Sequence, residues 1–277
     1  MANIGKLNKL KVAKEVDFGV YLDGEDLGEI LLPRRYVPEN CRPGDFVEVF
    51  IYLDSEDRLV ATTDKPYAMV GDFALLKVDS VHSVGAFLDW GLPKDLFVPF
   101  KEQKEKMWEG KIYLVRVYLD ERTNRIAASS RLHKFIHKGG AYKEGQEVSL
   151  LVCDQTELGY NVAIEGENWG LLYKNEVFQT LECGQKLNGF IKKVRDDGKI
   201  DVCLHKPGYE KVEDLSEIIL DKIKKEGGFL PLTSKSSPED IYKLFSTSKK
   251  AFKMCIGALY KKRLIAVEDN GIRLVKK

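Results

Sequence analysis

The sequence predicts a mainly β chain: three small barrels in tandem, then a small α+β domain. Three observations carry that expectation. Glycines and alternating strands repeat three times up to about residue 208, apolar residues take helical spacing after residue 212, and net charge changes sign from segment to segment.

The repeat defines the barrels. Gly19 and Gly44 are 25 residues apart, and the same interval separates Gly85 from Gly110 and Gly159 from Gly184. The first glycine of each pair opens a short alternating stretch: Val20-Tyr21-Leu22, Ala86-Phe87-Leu88 and Tyr160-Asn161-Val162. The second precedes a longer one: Asp45 to Ile51, Lys111 to Val117 and Gln185 to Ile191. A basic-then-apolar pair closes each unit, as Arg58-Leu59, Arg125-Ile126 and Lys199-Ile200. The offsets are 66 and 74 residues, and the additional eight fall in a glycine-containing connector, Lys134 to Ala141. The units then span 1–64, 65–134 and 143–208, followed by a tail over 212–277.

Within the second unit, period-two patterning marks strands near 70–79, 84–90, 95–99, 111–119 and 124–129, with a short helix from Lys101 to Met107. Five strands with a helix after the third fit a Greek-key barrel of the oligonucleotide-binding (OB) type; an SH3-like barrel is the alternative. Either closes its edges, so small units can stand in a row without pairing edge to edge.

The tail changes class. Leu215, Ile218, Ile219 and Ile223 recur at helical spacing between Val212 and Glu226, and Gly227-Gly228 ends the run. Ser237-Pro238-Glu239-Asp240 reads as the cap, first-turn proline and acidic first turn of a second helix. A third helix follows Ser248 with Phe252, Cys255, Ile256 and Leu259 as its buried stripe. Leu264 to Val267, a turn at Asp269-Asn270-Gly271, and Ile272 to Val275 spell a hairpin. Three helices and a hairpin make a winged helix.

Composition narrows the chemistry. The chain has 277 residues and a net charge of +1, with no apolar run near the roughly 18 residues a membrane helix needs. The first 14 residues lack a signal-peptide core, so a cytoplasmic protein is expected. Cys41, Cys153, Cys183, Cys203 and Cys255 are widely spaced and read as reduced thiols, mostly small core residues. His82, His133, His137 and His205 show no ligand spacing, and no phosphate-cradling glycine loop is present. Neither a metal, a cofactor nor a catalytic group is expected. The balanced charge hides an uneven one: the three units carry −5, +3 and −3 and the tail +5, so the second unit and the tail suit a polyanion best.

Gly85-Ala86-Phe87-Leu88, Asp95-Leu96-Phe97-Val98-Pro99, Gly110, Asp120 and Arg125-Ile126-Ala127-Ala128-Ser129 together resemble the S1-type RNA-binding domain. The resemblance implies three tandem S1-like OB-fold β-barrels. It also implies surface rings on either side of the second-strand glycine, a ring or histidine on strand three, and an aspartate and arginine flanking the turn into strand five. The first unit matches with Phe18, Tyr21, Asp54 and Arg58. The second matches with Phe87, Asp120 and Arg125, with Val84 and Val98 at ring positions. The third keeps Tyr173 and Lys199, with Leu158 and Asn161 where rings would stand. No unit keeps the whole set, so binding shared across units is expected. Alternation places Tyr21 opposite in face to Val20 and Leu22, and Phe87 opposite to Ala86 and Leu88, which puts these rings outside rather than in the core.

The tail segments Leu230 to Thr233, Ser236 to Glu239, Ser248 to Phe252-Lys253 and Gly257 to Tyr260, following three S1-like units, are similar to the bacterial conserved virulence factor B family. That resemblance covers the whole chain and implies an RNA-binding regulator of gene expression acting after transcription. The expected partner is single-stranded RNA, stacked by Phe18, Tyr21, Phe87 and Tyr173. Its phosphates would be neutralised by Arg58, Arg125, Lys199 and the tail's Lys249, Lys250 and Lys253; Asp120 belongs to the same turn set. A solvated helix face is the plainer reading of the three tail lysines. Two rival readings are a protein-interaction adaptor and a DNA-binding regulator acting through the winged helix.

Overall fold

A computed structural model describes residues 1–177, 180–204, 212–245 and 247–275. His205 and the end of the third sequence unit lie outside them. The chain divides into two compact units, Met1–Ile136 and His137–Lys277.

The first unit holds two barrels. Strands β1 (Leu7–Val16), β2 (Gly19–Asp23), β3 (Glu29–Pro33), β4 (Phe46–Leu53) and β5 (Leu59–Thr62) close in the order β1-β2-β3-β5-β4. The second barrel repeats this with β6 (Phe73–His82), β7 (Gly85–Asp89), β8 (Leu96–Pro99), β9 (Ile112–Asp120) and β10 (Arg125–Ser129). The third and fifth strands of each pair in parallel and every other pair is antiparallel, the Greek-key OB arrangement.

The second unit begins with the third barrel: β11 (Glu147–Gln155), β12 (Gly159–Ile164), β13 (Asn168–Tyr173), β14 (Lys186–Val194) and β15 (Ile200–Cys203). The winged-helix domain follows with α1 (Val212–Lys225), β16 (Phe229–Leu230), α2 (Pro238–Phe245), α3 (Lys249–Lys261), β17 (Ile265–Glu268) and β18 (Gly271–Leu274). The tail sequence predicts a two-stranded hairpin; β16 joins it, giving a three-stranded sheet of order β16-β18-β17. Ser248 caps α3 by accepting the Ala251 N–H at 3.1 Å, and Phe252, Cys255, Ile256 and Leu259 are all buried.

Two backbone requirements explain the repeated glycines. A Cβ on Gly19, Gly85 or Gly159 would stand 2.2, 2.3 or 2.1 Å from the carbonyl oxygen of Leu32, Val98 or Leu172, so only glycine lets strand two lie this close to strand three. A Cβ on Gly44 or Gly110 would meet nothing, but their φ values are 100° and 76°, and Gly184 shares the left-handed backbone with a φ of 83°. Each donates to the carbonyl of Val12, Val78 or Val152 at 2.7–2.8 Å, and that valine donates to the residue after the glycine. This is a β-bulge whose first residue needs left-handed backbone.

The helix expected over Lys101 to Met107 is a correction: only Phe100–Glu102 form a single 3₁₀ turn. The segment's hydrogen bonds go elsewhere. Gln103 donates through Nε2 to the Val98 carbonyl at 3.1 Å and accepts the Met107 N–H at 3.1 Å, while Ser130 Oγ accepts the Lys104 N–H at 2.7 Å. Met107 is thereby driven into the barrel core, 1% exposed. The connector expected over Lys134 to Ala141 is likewise partly fixed, since His137 exchanges hydrogen bonds with Glu167 and Trp169 beside β13. The cysteines also differ from expectation: Cys153 and Cys255 are buried, whereas Cys41 and Cys203 are half-buried and Cys183 is exposed.

The two barrels of the first unit share a core. Along β4, Val47, Val49 and Ile51 point inward, so Phe50 and Tyr52 point outward, yet both are buried. With Val60 they pack against the second barrel's cluster of Trp90, Leu92 and Met107. Lys94 donates to the carbonyls of Leu53 and Asp54 at 2.9 and 2.7 Å, and Arg125 bonds Asp57, all across this seam.

Candidate nucleic-acid interface

In each barrel, strands two, three and five present one outer face. Register sets its members: Tyr21 pairs with Leu31 and Leu31 with Val60; Phe87 with Phe97 and Phe97 with Ala127; Asn161 with Leu171 and Leu171 with Asp201. Arg58, Arg125 and Lys199 lie two residues before the strand-five member, hence on the same face. The fold therefore brings each predicted basic residue to the face that carries the predicted rings.

The second barrel has the fullest aromatic surface. Phe87 is half-exposed with Phe97 5.1 Å away at 35° and His82 5.4 Å away at 71°. Val98, expected at a ring position, is fully buried, and the outward residue is its neighbour Phe97. A shift of one residue changes faces in a strand. Val84 is exposed, as its ring position requires. His82 and Phe97 are the ring contributors that sequence reading missed; strict alternation outward from Val98 would have found Phe97.

In the first barrel, Phe18 is 58% exposed and meets Tyr21 edge-on, 6.4 Å between centroids, while Lys14 sits 4.8 Å above the Tyr21 ring. In the third, the Tyr173 hydroxyl bonds Arg195, whose Nε also donates to the buried Asp201 at 2.9 Å. Lys192 and Arg195 each lie 5.9 Å from the Tyr173 ring. Arg195 and Lys192 add a basic edge that the repeat pattern did not mark. Leu158 is exposed and Asn161 half-buried, while the half-buried Trp169 shares the outer side of β13 with Tyr173, so this barrel combines those rings with Lys192, Arg195 and Lys199.

The predicted phosphate contacts are already engaged with carboxylates. Arg58 donates to Asp54 through Nε and Nη2 at 2.9 and 2.7 Å and meets Glu56 at 2.8 Å. Burial pushes the Asp54 carboxyl up, but hydrogen bonds from Arg58 and Glu56 outweigh it and hold Asp54 below the usual aspartate range. Lys199 pairs with Asp197 at 3.1 Å, and Arg125 with Asp57, whose carboxyl that bond lowers. Asp120 accepts the Arg122 N–H at 3.0 Å and shapes the turn into β10. These pairs are largely solvent-exposed, and exposed pairs are weak enough for a phosphate to compete.

On the winged helix, Lys250, Lys253, Met254 and Tyr260 form the exposed side of α3, and the helix contains no acidic residue. Lys249 reaches the Lys235 carbonyl at 3.3 Å and borders a cleft of about 620 Å³ with Lys174, Tyr160 and Tyr242. Among the described residues, no group of three or more His, Cys, Asp or Glu could hold a metal ion, and no helix is long and apolar enough to cross a membrane.

Comparison with known proteins agrees with this architecture. Residues 4–64 match the S1 domain family and residues 217–274 the CvfB-like winged helix domain. An uncharacterised protein of Bacillus subtilis, YitL, is 28% identical over 99% of this chain and 94% of its own length. Conserved virulence factor B of Staphylococcus epidermidis is 26% identical over 98% of this chain and 86% of its own. A solved structure of a multidomain protein with nucleic acid binding domains from Streptococcus pneumoniae aligns over 98% of both chains at 24% identity, with a TM-score of 0.40. The S1 and CvfB-like winged-helix domain matches suggest nucleic-acid binding for this chain of three barrels and a winged helix. Over nearly its whole length the chain is similar to YitL and to conserved virulence factor B, and its C-terminal domain matches the CvfB-like winged helix.

Proposed function

We propose that this protein binds single-stranded RNA without chemically altering it, and acts in the cytoplasm as a post-transcriptional regulator of gene expression. The observation that carries the reading is the His82–Phe87–Phe97 cluster on the face that also bears Arg125. Unpaired bases expose π faces, and each ring that stacks one contributes about 1–3 kcal/mol. A duplex hides those faces, so this surface favours a single strand. Phe18 with Tyr21 and Tyr173 with Arg195 extend the same chemistry to the other barrels, and several weak faces on one chain bind through effective concentration. Lys250 and Lys253 on α3 add phosphate contacts.

A fluorescence-anisotropy titration tests the reading. Unstructured RNA should bind with an affinity that falls steeply as salt rises and should outcompete duplex DNA of equal length. Preference for the duplex would move the function to the winged helix, and absence of any binding would favour a protein-interaction adaptor.

A further inference from the structure

Cys153 and Cys183 hold equivalent positions on either side of a bulge that all three barrels share. These positions are the residue after the valine facing the bulge glycine and the residue before that glycine. The first barrel fills them with Ala13 and Pro43, the second with Asp79 and Glu109, and the third with two cysteines. Gly184 donates to the Val152 carbonyl at 2.7 Å and Val152 donates to the Gln185 carbonyl at 2.9 Å, which sets the two cysteines on adjacent backbones. The Cys183 thiol lies 3.3 Å from the Cys153 carbonyl oxygen, so its side chain is directed at Cys153. Cys153 is the bulged residue of β11, where its pairing with β12 shifts register, and Cys183 lies in the turn that enters β14. To close a bond, which spans Cα atoms roughly 4.4–6.8 Å apart, the Cys153 thiol must turn from the Leu151 carbonyl, to which it donates at 3.4 Å, toward Cys183. Cys183 is exposed and Cys153 buried, the pairing of an accessible attacking thiol with a protected resolving one.

We propose that Cys153 and Cys183 form a peroxide-responsive dithiol that closes to a disulfide. The Cys183 thiolate attacks one oxygen of hydrogen peroxide, the O–O bond breaks, and the departing hydroxide takes a proton to become water, leaving a sulfenic acid. The Cys153 thiolate then attacks the Cys183 sulfur, the S–S bond forms, and hydroxide leaves and is protonated to a second water. Two thiols lose two electrons and one peroxide gains them; a dithiol reductant reverses the change through a mixed disulfide. The bond ties β11 to the turn that enters β14, across the seam where those strands close the third barrel. β14 also carries Lys192, which flanks Tyr173.

The test treats the full chain with hydrogen peroxide, blocks remaining thiols with N-ethylmaleimide in denaturant, so that buried thiols react as well, and maps the digest by mass spectrometry. The expected product is an intramolecular Cys153–Cys183 link that dithiothreitol removes, with Cys41, Cys203 and Cys255 alkylated and a melting temperature above that of the reduced protein. Cys41→Ser should leave the link intact, and Cys183→Ser should leave Cys153 alkylated. The proposal is overturned if Cys153 and Cys183 are both alkylated after peroxide, if Cys183 proceeds to sulfinic acid without a link, or if either joins a different cysteine or a second molecule.

Discussion

Trp90 of the second barrel stands edge-on against Phe50 of the first, with ring centroids 5.7 Å apart at 79°. Phe50 lies on the outer side of its own barrel, so its complete burial comes from a neighbour rather than from its own core. Two barrels that sequence alone treats as separate beads therefore stabilise one another. Phe50→Ala should cost about 3–5 kcal/mol. Hydrogen exchange should rise in both barrels of the first unit; a rise confined to residues 1–64 would show that they fold independently.

The two glycine sets separate by the size of their response to alanine. Gly44 and Gly110 need only left-handed backbone, so alanine there should cost about 1–2 kcal/mol. Gly19, Gly85 and Gly159 add a collision with a backbone oxygen closer than 2.4 Å, which flexible side chains cannot relieve. Their alanine variants should lose clearly more stability in urea titrations than the first set. Equal losses would mean that strand three moves aside.

Asp54 makes the first barrel acid-sensitive. Its carboxyl is held below the ordinary value of 3.8, so its stabilising contribution is present above that pH and lost as the pH falls through the folded value. Asp54→Asn should melt earlier than the parent at neutral pH, and the gap should close in acid. A gap that is constant with pH would assign the effect to shape rather than charge.

The third helix carries charge where its dipole disfavours it. Lys249 and Lys250 occupy the first turn of α3, where acidic residues are the stabilising choice and none is present. Lys250→Glu should raise stability by about 0.3–1 kcal/mol and weaken nucleic-acid binding. Greater stability with unchanged binding would make these lysines a solvated surface.

Legibility followed the nature of the constraint. The glycine pairs were readable because close strand approach and a left-handed bulge each admit one residue type, and the outward rings Tyr21 and Phe87 were readable because strands alternate. The ring on β8 was misassigned by a single residue, Val98 for Phe97, which in a strand is the difference between core and surface. The seam was written in β4, where alternation gives way to the unbroken apolar run Val49 to Leu53, but only the second barrel explains that run. Lys101 to Met107 carried a helical look that Gln103, Ser129 and Ser130 override with side-chain hydrogen bonds. Arg195 at Tyr173 depends on the buried Asp201, a contact between β14's end and β15 that no repeat position marks.

The most direct measurement is the affinity of a Phe87→Ala, Phe97→Ala double variant for unstructured RNA, beside a melting curve of the same preparation. Loss of two stacking rings predicts a drop of at least about 10-fold, from roughly 1–3 kcal/mol per base, with the barrel still folded because both rings lie outside its core. Unchanged affinity in a folded variant would contradict the account and place nucleic-acid binding elsewhere on the chain.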